Sequence, residues 1–204
     1  MVYKGTYMSE ELTIKKIKEY ALVNDVPIMQ DDGIKFLTDF IVKNNIFTIL
    51  EVGTAIGYSA IMMALVNPKI KITTIERDEN RYLEAVKNIK KMGLDDRITI
   101  LYKDALDVSL KDKYDLIFLD GAKGQNINFF EHFEKNLEED GFVITDNINF
   151  HGYVKKDESE IKSRNLRGLV RKIKEYIKYL KSSAKYETTF YETGDGISVT
   201  RRKR

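Results

Sequence analysis

Five apolar runs in this chain each close on an acidic residue: Glu51, Glu76, Asp104, Asp120 and Asp146. The runs cover residues 47–50, 70–75, 98–102, 114–119 and 142–145. Open α/β sheets bind ligands beyond the carboxyl ends of their strands. A row of oxygen donors along that edge can receive a ribose, a cation or both. Asp120 with the pair Asp146-Asn147 offers two carboxylates and an amide. That hard, oxygen-only set suits Mg²⁺ or Ca²⁺ better than zinc or copper, and three protein ligands leave octahedral positions open for substrate or water. Lys123 stands three residues after Asp120. Near a cation its pKa can fall, letting it act as a base or orient an anion.

A glycine turn, Glu51-Val52-Gly53-Thr54-Ala55-Ile56-Gly57-Tyr58-Ser59, follows the first of these runs. Glycine lets backbone approach a ligand, and the N-terminus of a following helix supplies free N–H donors. The spacing is G-x-x-x-G, neither the dinucleotide G-x-G-x-x-G nor a Walker motif. Glu76 ends the next run, 25 residues after Glu51, where a carboxylate can bridge ribose hydroxyls. His132 and His151 carry no role in this reading, and no G-x-S-x-G elbow or Ser/His/Asp pattern is present.

The elements that must position these residues alternate. Ser9 caps an expected helix over 10–23, with Leu12, Ile17 and Ala21 near one face. A second helix is expected over 32–43. These N-terminal helices occupy residues 1–45. Strands over 47–51, 70–76, 98–102, 114–120 and 142–146 then alternate with helices near 58–66, 79–92 and 127–137. Tyr82, Ala85, Val86 and Ile89 are expected to face inward. Such alternation predicts a parallel sheet with helices on both faces. Residues 148–162 read as an irregular loop beside the site. A long helix over 163–181 follows, with an apolar stripe and a second stripe formed by Arg164, Arg167, Arg171, Lys174, Lys178 and Lys181. Two last strands, 186–192 and 196–201, flank the short turn Thr193-Gly194-Asp195-Gly196 and must pair antiparallel.

The 204 residues suit one domain with a sizeable core, and 43% hydrophobic with 32% charged residues reads as soluble and globular. No apolar stretch approaches the ~18 residues of a membrane span, and the first residues lack the apolar core of a secretory signal. With no cysteine, any metal must take oxygen or imidazole ligands, and the chain suits a reducing cytoplasm. The net charge of +2 conceals an asymmetry. Residues 151–204 hold 15 basic and 7 acidic side chains, a balance of +8, against −6 for residues 1–150. A basic final quarter fits an anionic partner.

Taken together, Glu51–Ser59, Glu76, Asp104-Ala105, Asp120-Gly121-Ala122-Lys123, Asp146-Asn147 and the closing Thr193–Ile197 resemble the cation-dependent, catechol-type O-methyltransferases. These are class I methyltransferases that use S-adenosylmethionine. The resemblance covers roughly residues 27–201. It implies a Rossmann-like, mostly parallel seven-stranded sheet with an antiparallel last hairpin. It further implies that Glu51, Gly53 and Ser59 surround the methionine part of the cofactor, with Met29 beside it. Glu76 would hold the ribose, and Asp104-Ala105 would border the adenine. Asp120, Asp146 and Asn147 match the metal ligands, with Asp120 also near the cofactor. Lys123 matches the family's base. Ala55 departs from relatives that carry a bulky aromatic there. Within the family, Asp120–Gln125 and the stretch Arg164–Lys172 are similar to the bacterial tRNA 5-hydroxyuridine methyltransferases. That implies Mg²⁺-dependent methylation of the wobble base of a tRNA anticodon loop, with Arg164, Arg167, Arg171 and Lys174 on the RNA. The alternative is a small catechol-like or hydroxycinnamoyl acceptor. The family also implies a homodimer.

Overall fold

The computed structural model describes residues 3–204, and the side chains from Glu10 onward. Its strands are β1 (Thr48–Val52), β2 (Lys71–Glu76), β3 (Ile98–Tyr102), β4 (Tyr114–Leu119), β5 (Leu137–Thr145), β6 (Tyr186–Tyr191) and β7 (Ile197–Arg202). They form one seven-stranded sheet in the order β3-β2-β1-β4-β5-β7-β6. β1 to β5 run parallel, and β7 enters antiparallel between β5 and β6. The central strands are nearly continuous runs of buried apolar residues because helices cover both faces. Alternate residues of each strand feed opposite layers. Ile49, Ile72, Leu116 and Ile144 pack beneath α1 (Tyr3–Val23), α2 (Asp31–Lys43), α3 (Tyr58–Leu65) and α4 (Glu79–Lys91). Leu50, Ile117 and Val143 pack beneath α5 (Asn126–Phe133) and α6 (Arg164–Ser182), where Phe130, Tyr176 and Leu180 fill the layer.

The helix ends follow their caps. Asp78 accepts the Arg81 N–H at the start of α4, and Ser163 accepts the Leu166 N–H at the start of α6. Four sequence expectations are corrected. Helix α1 begins at Tyr3, so Ser9 lies inside it rather than capping it. Leu12 is 53% exposed, while Ile17 and Ala21 are buried. On α4 the inward position expected of Val86 belongs to Asn88, whose amide donates to the Ile56 carbonyl at 3.0 Å. Strand β5 begins at Leu137, not near 142, and α5 stops at Phe133 before a 3₁₀ turn, Glu134–Asn136. The polar residues Glu138, Glu139 and Asp140 disguise that strand start, because they sit on its solvent-exposed portion while Leu137 pairs with Tyr114.

Candidate active site

All five sequence-marked acids lie at the carboxyl edge of the sheet, and four of them line one cavity of about 430 Å³. That volume falls within the usual range of ligand pockets. The turn after β1 is fixed by close packing. Gly53 has φ +103°, and a Cβ there would lie 2.6 Å from the Asp120 carbonyl oxygen. Only glycine allows the β1 and β4 loops to meet so closely.

On one side of the cavity Glu76 is held by three backbone donors. Its Oε2 accepts from Ala55 N–H at 2.8 Å, and its Oε1 from Arg77 and Asp78 N–H at 2.9 and 2.8 Å. A carboxylate anchored this way presents its remaining lone pairs in a fixed direction. Asp104 accepts the Leu106 N–H at 3.1 Å, and Ala105 and Met29 complete this wall. Glu51 and Ser59 lie beneath the floor instead. Glu51 is fully buried, and its two oxygens accept from the Ser59 and Thr74 hydroxyls, each at 2.5 Å. Burial pushes its carboxyl up to about 7, against those two hydrogen bonds.

On the other side β4 and β5 end side by side. The Asp120 N–H bonds the Val52 carbonyl and the Asp146 N–H bonds the Leu119 carbonyl, so the ladder carries both acids to the same edge. Asp120, Lys123, Asp146 and Asn147 share the cavity wall. Lys123 forms an ion pair with Asp120. Asp146 is 2% exposed; burial, then the charge of Asp120, pushes its carboxyl up to about 7. Asn147 adopts φ +58°, which asparagine tolerates. Among the described residues no cluster of three His, Asp or Glu side chains has metal-binding geometry, so a cation here would need the Asn147 amide.

Sequence reasoning missed Asp195. It is 8% exposed, lines the same cavity, and its Oδ1 accepts the His151 N–H at 2.6 Å. Its Oδ2 has no hydrogen-bond partner among the described residues; the His151 ring stands 3.5 Å away. The turn Thr193–Gly196 is the available signal: its spacing indicates a hairpin and its residues the family resemblance, but neither marks Asp195 as a cavity acid. Asp120, Asp146 and Asp195 thus line one cavity, where Lys123 pairs with Asp120.

The basic residues of α6 lie beside this end. Arg167 donates to the Ile161 and Lys162 carbonyls, Arg171 pairs with Glu158, and Lys174 donates to the Lys156 carbonyl. These three hold the 156–162 segment. Arg164 is exposed. The expected loop over 148–162 contains two 3₁₀ turns, Tyr153–Lys155 and Glu158–Glu160.

Residues 2–203 match the family model described as O-methyltransferase. The chain belongs to the class I O-methyltransferases. A flavonoid 3',5'-methyltransferase of Vitis vinifera is 30% identical over 94% of the chain and 84% of its own length. A caffeoyl-CoA O-methyltransferase of Populus kitakamiensis is 27% identical over 95% and 85%. A solved Staphylococcus aureus structure, provisionally assigned to the caffeoyl-CoA O-methyltransferases, is 36% identical, with a TM-score of 0.89 over 93% of this chain and 92% of that one. The O-methyltransferase is therefore an S-adenosylmethionine-dependent transferase with the expected mixed sheet. Among its described residues no helix is long and apolar enough to cross a membrane.

Proposed function

We propose that this O-methyltransferase transfers the methyl group of S-adenosylmethionine to one of two neighbouring oxygens on a planar ring, with a divalent cation, Mg²⁺ first, held by Asp120, Asp146 and Asn147. The observation that carries this is the pair of carboxylates on adjacent strand ends, one deeply buried, inside the same cavity as the anchored Glu76. Glu76 would take the ribose, Asp104-Ala105 the adenine edge, and Met29 with Gly53 the methionine part. Glu51 and Ser59 would act from beneath, fixing the turn rather than touching ligand. A bound cation supplies chelation of both acceptor oxygens and lowers the cost of ionising one of them. Lys123, on the same cavity wall, would take the acceptor hydroxyl's proton as the neutral amine and become the ammonium, which Asp120 beside it can then pair. The cavity walls would hold acceptor and donor aligned, which supplies much of the rate.

The acceptor class favoured by the relatives' names is a small catechol-like or hydroxycinnamoyl compound. A second acceptor, wobble 5-hydroxyuridine in a tRNA anticodon loop, is favoured by a specific observation: residues 151–204 carry a balance of +8, and the basic helix α6 packs Leu169 and Lys172 against Gly124, beside Lys123 of the site. 5-Hydroxyuracil presents the 4-carbonyl and 5-hydroxyl in the arrangement a catechol presents. An unpaired loop base can be splayed into a pocket at modest cost. Exposed Leu22 and Val23 on α1 support a homodimer, and the lack of cysteine suits the cytoplasm.

One experiment decides. The protein is incubated with S-adenosylmethionine and Mg²⁺, together with a hydroxycinnamoyl-CoA catechol or tRNA containing 5-hydroxyuridine. Products are read by mass spectrometry. A methyl ether in either identifies the acceptor; none in either, with Mg²⁺ present, refutes the reading.

A further inference from the structure

The basic row of α6 divides into engaged and free groups. Arg167, Arg171 and Lys174 are engaged with residues 156–162. Arg164, Lys172 and Lys178 are exposed and make no hydrogen bond or ion pair among the described residues. Gly168 lies between Arg164 and Lys172, four residues from each, so all three share one face of the helix. Glycine inside a helix is less favourable than alanine. Nothing among the described residues calls for it here. Its φ is not positive, and beyond the helix's own turn a Cβ would meet no atom of the described residues within 4 Å. The result is an open gap at the helix surface flanked by free cations. The gap adjoins the reaction site: a Cβ on Gly124, the neighbour of Lys123, would lie 3.2 Å from Lys172 Cδ.

We propose that Gly168, between Arg164 and Lys172, seats a backbone phosphate of the RNA strand that carries the acceptor base. This rests on the RNA reading above. The missing side chain lets a phosphodiester reach the helix surface, the use of glycine wherever a ligand must approach backbone. A polyanion fits better than the diphosphate of a coenzyme A thioester. The free cations from Arg164 to Lys178 extend about 21 Å along the helix, and α6 carries one acid, Glu175, beyond Lys172.

The test measures binding, not turnover. Fluorescence anisotropy follows a labelled anticodon stem-loop RNA with the wild type, Gly168→Ala, Arg164→Gln and Lys172→Gln over a series of salt concentrations. Gly168→Ala keeps or raises the melting temperature yet weakens RNA binding about tenfold. Arg164→Gln and Lys172→Gln each lower the slope of log K against log salt by about 1. Calorimetry with coenzyme A shows no matching loss. RNA bound equally tightly by the folded Gly168→Ala protein overturns the proposal while leaving the RNA reading intact, and so does an equal loss for coenzyme A. A wild type that binds no RNA overturns both.

Discussion

Replacing Asp146 with asparagine separates two consequences of burying an acid beside another acid. In the metal-free protein burial, reinforced by Asp120, pushes the Asp146 carboxyl from its ordinary 3.8 to about 7. A difference of that size corresponds to about 4 kcal/mol of disfavoured ionisation, an upper bound because nearby water and side chains relax. The sign follows from proton counting. Between pH 4 and 7 the folded chain binds this proton and the unfolded chain does not, so stability falls as pH rises through that window and the full penalty stands above pH 7. The amide that replaces the carboxyl carries no charge at any pH, and its oxygen can still accept the Asn147 N–H. Asp146→Asn should therefore melt several degrees above the wild type at pH 8 in chelator, at about 2–4 °C per kcal/mol for a chain this long, and close to it at pH 4. Glu51 titrates in the same window, but it is common to both proteins and cancels in the difference. Mg²⁺ should then raise the melting temperature of the wild type and leave that of the variant unchanged, and methyl transfer should vanish. Differential scanning fluorimetry at both pH values, with chelator and with Mg²⁺, reads the stability changes, and the methyl-transfer assay reads the last. A variant less stable than the wild type at pH 8, or one stabilised equally by Mg²⁺, refutes the assignment of Asp146 as a strained, cation-seeking acid.

Other outcomes follow from the same geometry. Mg²⁺ affinity by calorimetry should weaken by up to tenfold per pH unit below about 7, because the ion must displace the Asp146 proton; a flat profile would place the ion elsewhere. Gly53→Ala should cost about 2 kcal/mol or more in urea unfolding, since its Cβ meets the Asp120 backbone at 2.6 Å and its φ is +103°. Glu76→Ala should leave three backbone N–H groups without their acceptor and weaken S-adenosylmethionine binding at least tenfold; unchanged affinity in calorimetry would remove Glu76 from the ribose site.

What the sequence revealed was what repetition and punctuation encode. Apolar runs ending in acids located all five parallel strands, and the short Gly-Asp-Gly turn required the antiparallel pair. Strand β5 escaped in its first half because Glu138, Glu139 and Asp140 imitate a loop, and only the partnership of Leu137 with Tyr114 makes them strand. At the site, positions along the sheet edge were legible, since any residue just past a parallel strand faces it. Depth was not. Nothing in the pattern distinguished Glu51, sealed under the floor by Ser59 and Thr74, from Glu76 on the wall. Asp195 was invisible for a related reason: it reaches the cavity through a long-range pairing, from a turn 48 residues after Asn147. Periodicity puts the basic row of α6 on one surface, because it reports which side a residue faces, not whether its own chain has already taken it.

The strand that enters the sheet last also fastens the segment bearing Asn147. Ile148 and Asn149 donate to the carbonyls of Gly196 and Asp195, and the Asp195 carboxylate holds His151. Because β7 slots between β5 and β6, these bonds join segments that lie about 47 residues apart and wait on a strand that follows all the others in the chain. A chain that stopped before residue 195 would carry the glycine turn and the first acids yet lack the clasp on the segment after Asn147.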